Sequence, residues 1–281
     1  MGTLLNRRRY MGGGGGYPAD AIMTIETNPE VLAICYAQGW CTNDKYMTAS
    51  EAAAVTDIGT VFKNNRNITH FEELEFFGIT SLANEAFRSA TKLKSLVLPV
   101  GLTSIGNAVF YQSGLERLVI KSANISSWGN WYNWHNVPIK YLYTNSQTSQ
   151  PASNSSFGSL VTFEIGSNVR NIGNFAMPLI EELSIPEGVE KIIGNGFMNC
   201  SSLKEVSLPS SITELSNAAF YKVSSIQKIT ILATTPPTGV TSNTFLNTTG
   251  PIYVPSASVN AYKAASGWSN YASRIQAIPT T

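Results

Sequence analysis

Glu182 and Glu205 are the residues whose type and spacing come nearest to catalysis. They lie 23 residues apart. That interval recurs around them, so the two side chains fall in one column on neighbouring strands. Strands stacked about 4.8 Å apart would set the carboxylates near the roughly 5 Å separation of retaining glycosidases. Lys228 follows in the same column and would relieve their repulsion. Nothing in the flanking sequence encloses a pocket, so the pair reads as a solvated charged face. His70 and His135 are the only histidines. No Cys/His metal spacing, nucleophile elbow or phosphate loop is present. The chain is therefore expected to be non-enzymatic, with no metal and no cofactor.

A second concentration of chemistry is aromatic. Trp128, Trp131 and Trp134 are three of the five tryptophans, and Tyr132, His135, Tyr141 and Tyr143 stand close by. Flat aromatic faces suit sugar rings, and they equally suit an interior. Ile125 and Trp128 are spaced like Leu102 and Ile105, which places some of the indoles inside. Both readings stand at this stage, one a structural block and the other a partly exposed contact patch. Of the cysteines Cys35, Cys41 and Cys200, the last reads as a small buried hydrophobe. A Cys35–Cys41 bridge would form only in an oxidising setting.

The elements that carry these residues follow from the repeat. Leu183, Val206 and Ile229 are 23 apart, as are Ile185, Leu208 and Ile231, and Phe197 and Phe220. A fixed period of this length marks a leucine-rich-repeat solenoid, whose units must stack to bury their apolar sides. Strand positions begin at Ile68, Leu93, Leu115, Ile139, Leu160, Ile180, Leu203 and Ile226, in steps of 25, 22, 24, 21, 20, 23 and 23. The expectation is one right-handed solenoid of about eight coils with a parallel sheet on one face. Its strands centre on Leu96, Leu118, Leu142, Phe163, Leu183, Val206 and Ile229. The spacing makes 139–165 the sensitive stretch, and Phe110, Phe197 and Phe220 should be equivalent interior residues. Period-2 alternation turns two columns outward. One contains Ser95, Arg117, Tyr141, Thr162, Glu182, Glu205 and Lys228. The other contains Val97, Val119, Tyr143, Glu164, Ser184, Ser207 and Thr230. Val97, Arg117, Val119, Tyr141 and Tyr143 thus cluster on one face, an apolar–aromatic patch with an arginine, as in binding hot spots. Packing against a cap or another chain would explain them equally well.

The segments LPVGLTSIGNAVF (98–110), IPEGVEKIIGNGFMNC (185–200) and LPSSITELSNAAF (208–220) resemble the BspA-like leucine-rich repeats of gut bacteria and their phages. YVPSASVNAYKAASGW (253–268) is similar to the closing segment of that branch. The resemblance covers roughly three quarters of the chain, and its repeat motifs are specific. It implies a fold and a binding role, and no chemistry.

The flanks complete the organisation. Residues 1–17 read as an arm: Arg7, Arg8 and Arg9, then Tyr10, Met11 and five glycines. A glycine run this long loses too much backbone entropy to hold one shape alone. NRRRYMGGGGG resembles the leader of virion proteins from phages of gut bacteria, which implies that the arm attaches the protein to other virion proteins. The N-terminus has no apolar run of signal-peptide length, a reading that favours the virion over the bacterial cell surface. Residues 18–66 read as a helical N-terminal cap, 67–235 as repeats and 236–281 as an α/β C-terminal cap. In the first cap, Asn28 with Pro29 opens one helix, with Val31, Ile34, Cys35 and Gln38 on one face. Thr48 and Glu51 form a capping box for a second helix that stops near Gly59. Charged residues are 13% of the chain and the net charge is +1, so bulk electrostatics select no nucleic acid, and no segment is read as inserting in a membrane. The expected partners are virion proteins, a host-surface glycan or protein, and a second copy of the chain.

Overall fold

The computed structural model describes residues 16–152 and 155–280. Arg7, Arg8, Arg9, Tyr10 and Met11, the core of the expected arm, lie outside them. The N-terminal cap pairs strand Ala21–Thr24 antiparallel with Tyr46–Thr48, around helix Pro29–Ala37. Pro29 does open the helix, where its missing N–H costs nothing. Asn28 takes the N-cap position, but its side chain makes no bond to the helix's first amides. Its Nδ2 donates instead to His70 O at 3.1 Å and to Glu73 Oε2 at 3.0 Å, tying the cap to the first coil. The buried face is Val31, Leu32 and Cys35, while Gln38 is exposed. The capping box of Thr48 and Glu51 is present. Its helix, Ala49–Ala54, stops before Gly59, because the amides of Val55 and Gly78 both bond back to Ala52 O. Cys35 and Cys41 are free thiols.

Every strand pair beyond the cap is parallel. His70–Phe71, Ser95–Leu98, Arg117–Ile120, Tyr141–Thr144 and Thr162–Ile165 form one five-stranded sheet. Glu182–Ser184, Glu205–Leu208, Lys228–Ile231, Ile252–Val254 and Ile275–Ala277 form another. The register follows the repeat: Leu96 faces Leu118, then Leu142 and Phe163, and Leu183 faces Val206 and Ile229. The expected single sheet is therefore two. The strands centred on Phe163 and Leu183 do not pair, and the break falls just beyond the stretch flagged by spacing. The coil that starts at Leu160 has the shortest step, 20 residues, yet the same interval pairs Asn171 with Lys191 on the opposite wall. A second wall of strands bridges the break. Thr148–Ser149, Asn171–Gly173, Lys191–Ile193 and Glu214–Leu215 make a continuous four-stranded sheet.

The core between these walls is a column of rings. Phe62, Phe87, Phe110, Trp134, Phe157 and Phe175 are linked by centroid distances of 5.2–6.5 Å. Phe197, Phe220, Phe245 and Trp268 continue it at 5.6–5.8 Å. Phe110, Phe197 and Phe220 are fully buried. Each burial of this size stabilises the fold by about 1.5–3 kcal/mol. Among the described residues no ring contact joins Phe175 to Phe197, so the column is interrupted at the same place as the sheet. Cys200 bridges that junction: its buried thiol donates to Phe175 O at 3.3 Å and accepts from Met177 N at 3.4 Å. Burial pushes the thiol up to about 12, so it stays protonated and able to donate.

The far end closes with Tyr262, Trp268, Tyr271 and Ile275, all buried. Tyr262 Oη donates to Ala233 O at 2.8 Å and Trp268 Nε1 to Pro237 O at 2.8 Å. The polar tips of these rings thus bond to the backbone of the last repeat.

Candidate functional site

The outward columns of the first sheet are where the repeat places them, but they are not uniformly open. The segment EELEF, Glu72–Phe76, leaves the first strand as a 3-10 turn and lies across the sheet's outer face. Glu72 accepts from Ser95 Oγ at 2.6 Å and from Arg117 Nη1 at 3.4 Å. Lys121 Nζ donates to Glu75 further along the same roof. Val97 and Val119, expected to be exposed, are 6% and 1% accessible. Neither belongs to the main core; they form a small satellite beneath the roof.

What stays open begins at the roof's edge. The Arg117 guanidinium sits 5.2 Å over the Tyr141 ring, a cation–π contact. Tyr141 Oη donates to Glu164 Oε2 at 2.7 Å. Burial, then the hydrogen bond to Glu164 and its charge, raise the Tyr141 phenol, and burial and Glu164 raise Tyr143. Both phenols therefore stay protonated, as donors. Glu72, Arg117, Tyr141 and Glu164 make one polar chain across the sheet, with half-buried Tyr143 beside it. One strand back, Glu116 holds Lys94 and Lys140 at 2.8 Å each. Hydrogen bonds from Lys140 and Lys94 bring its carboxyl down to about 2.

Glu182 and Glu205 pair in register on the second sheet. Glu205 turns to Lys228 at 3.5 Å, and both ends of that pair are about half exposed. The carboxylates line an open depression with Ser184, Ser207 and Thr230, a charged surface and not an enclosed acid–nucleophile pair. Among the described residues, no group of three or more His, Cys, Asp or Glu is placed to hold a metal ion. No helix among them is long and apolar enough to cross a membrane.

The tryptophan block divides. Trp134 takes the place of phenylalanine in the ring column, and Trp128 packs against it at 6.1 Å; their exposures are 1% and 6%. Trp128 Nε1 donates to Thr148 O at 3.2 Å, whereas Trp134 Nε1 is buried without a partner. Neither can reach a ligand. Trp131 remains at the surface in the 3-10 turn Trp131–Asn133, stacked on Tyr132 at 4.0 Å.

Two residues near Trp131 had gone unnoticed in the sequence. Two residues after seven of the column's rings the backbone is left-handed: Asn64, Ser89, Gln112, Asn136, Asn199, Lys222 and Asn247 have φ of 56–65°. This left-handed corner turns the residue between it and the ring outward. Arg88, Tyr111 and His135 occupy that slot in successive coils. Tyr111 meets Tyr132 edge-on at 5.3 Å, Arg88 lies 5.4 Å over Tyr111, and His135 meets Trp131 at 4.8 Å. The signal was present: the residue following each interior ring forms an outward column of its own.

A stacked parallel solenoid with half-open side-chain strips belongs to the class of leucine-rich-repeat folds. Residues 56–178 and 174–254 match the BspA type leucine rich repeat region in six copies, and the chain belongs to this family. No curated protein matches it. Among solved structures, it is similar to a leucine-rich repeat protein of Bacteroides ovatus, at 12% identity over 82% of this chain and 70% of that one, TM-score 0.34. It is also similar to a leucine rich cell surface protein of Faecalibacterium prausnitzii, at 16% identity over 77% and 68%, TM-score 0.33. The pneumococcal vaccine antigen PcpA matches at 14% identity over 74% and 68%, TM-score 0.34.

Proposed function

We propose that this chain is a non-enzymatic binding protein that meets its partner on the outer face of the first sheet. The observation that carries this reading is the strip from Arg117 to Glu164. There a guanidinium, two protonated phenols and a carboxylate stand half open at the edge of a roof that seals the apolar residues. Such a strip offers donors and acceptors held in place by one another, which suits recognition of a protein or glycan surface. Arg7, Arg8, Arg9, Tyr10 and Met11 attach the protein to a phage particle in this reading. The support is the resemblance of NRRRYMGGGGG to phage virion leaders, and the fit of arginine forks to carboxylates on a partner. Display on a bacterial cell surface is the second reading, favoured by membership of the BspA-type family.

Two measurements test it. Purified protein is incubated with cells of candidate gut bacterial hosts, and the bound fraction is measured for wild type and for Tyr141→Ala with Tyr143→Ala. Binding that persists unchanged in the double variant removes the sheet face as the site. In parallel, a protein lacking residues 1–16 is expressed during phage assembly. Its normal incorporation into particles would remove the attachment role and leave the cell-surface reading.

A further inference from the structure

Beyond the sheet face, the corner turns carry a second surface. We infer that Arg88, Ala108, Tyr111, Trp131, Tyr132 and His135 form a carbohydrate-binding ledge that takes pyranose rings. The ledge goes beyond the sheet-face reading, because its residues sit on corner turns and not on strands. Three features argue for it.

First, the rings are not needed inside. The column through the core is already complete at this level with Phe87, Phe110 and Trp134. Tyr111, Trp131 and Tyr132 are additional, and Tyr132 is 39% exposed. Second, they are ordered among themselves. Trp131 stacks on Tyr132 at 4.0 Å, Tyr132 meets Tyr111 at 5.3 Å, and Arg88 fixes the far side of Tyr111 at 5.4 Å. Arg88 is itself held by Glu85, which also holds Lys63 at 2.5 Å. The ring positions are thus set before any ligand arrives, which lowers the ordering cost of binding. Third, the composition selects the occupant. Arg88, Ala108, Tyr111 and Tyr132 line one depression, and Ala108 is its single aliphatic member. The large side chains of the ledge each combine a flat face with a polar tip: two phenols, an indole N–H, an imidazole and a guanidinium. That pattern complements a sugar ring, which has one face of C–H groups and a rim of hydroxyls.

The test is native gel electrophoresis of the full chain through gels containing soluble polysaccharides, namely mannan, laminarin, xyloglucan, glycol chitosan and bacterial O-polysaccharide. Retardation by at least one is expected. Tyr111→Ala and Tyr132→Ala should each weaken it roughly tenfold, the size of one ring contact. Tyr132→Phe should keep most of it. Thermal melts of the variants accompany the gels, and Tyr132→Phe reports on the ledge should an alanine variant melt early. Quenching of Trp131 fluorescence by the retarding polysaccharide, lost in Trp131→Phe, is the second readout. No retardation of the wild type in any gel would overturn the inference, as would equal retardation of folded alanine variants. Retardation abolished by Tyr141→Ala alone would assign the sugar to the sheet face and overturn the ledge. Cell binding lost in the Tyr141 and Tyr143 variant, with no polysaccharide retardation, would leave the sheet-face reading standing and remove this one.

Discussion

Trp134 and Trp128 should respond unequally to the same substitution. Trp134 lies between Phe110 at 5.8 Å and Phe157 at 5.2 Å, with its indole N–H buried and unpaired. Trp134→Phe trims the ring to the residue used elsewhere in the column. The lost packing is about 2 kcal/mol, at ~0.8 kcal/mol per methylene-sized group. Removing an unsatisfied buried donor returns about 1–3 kcal/mol. The two effects nearly cancel, so Trp134→Phe should stay within about 1 kcal/mol of wild type, while Trp134→Ala should lose about 3–5 kcal/mol. Trp128 is the control. Its N–H is paired with Thr148 O, so Trp128→Phe loses packing and a hydrogen bond together, about 2–3 kcal/mol. Urea unfolding followed by far-UV circular dichroism, at constant m-value, measures all three. A loss above ~2 kcal/mol in Trp134→Phe, or equal losses at the two positions, would refute the account of the unpaired N–H.

Three further outcomes are expected. Phe220→Ala, which opens a gap between Phe197 and Phe245, should cost about 3–5 kcal/mol, with amide exchange rising most in the adjoining coils. Gly173→Ala should destabilise the second wall, because a Cβ there would sit 1.9 Å from Ile193 O across a strand pair; a melting temperature equal to wild type would show that the wall can shift. At the N-terminal cap, burial alone would raise Glu51, but hydrogen bonds from Thr48 and Thr42 bring it down to about 2. Its folded pKa is depressed, so its stabilisation is present above the ordinary carboxylate range near 4.5 and is lost as pH falls toward about 2. Glu51→Gln should flatten that part of the stability–pH curve, and Thr48→Ala should cost about 1 kcal/mol at neutral pH.

The repeat was legible because its side chains are counted from one strand to the next. The outward columns read by alternation, Ser95–Arg117–Tyr141–Thr162 and Val97–Val119–Tyr143–Glu164, are the observed register. What counting cannot supply is cover. EELEF carries no repeat signature, and only tertiary packing turns it over Val97 and Val119. Asn28 has the residue type and the position of a helix cap, yet its Nδ2 is held by two long-range acceptors and its side chain makes no bond to the helix. The 20-residue step is visible as a number, but it does not mark the break in the main sheet, since Asn171 and Lys191 pair across the same interval. Tyr111 and Arg88 stand outside the dense aromatic stretch, and their placement follows from the left-handed corners at Gln112 and Ser89.

At the junction between the strands of Phe163 and Leu183 the main sheet is open, and the second wall and the ring corner hold the two coils together. The second wall crosses it through the pairing of Ile172 with Ile192, and the main sheet does not. A solenoid joined this way bends like a book on its spine. Under tension along its axis, the rod would yield first by opening on the main-sheet side, with the backbone pairs of the second wall as the hinge and the Cys200 bridge as the first contact strained. The halves on either side, each with a five-stranded sheet of its own, would tilt as stiff bodies. Compliance is therefore directional, and a load on the first sheet need not be felt by the last coils.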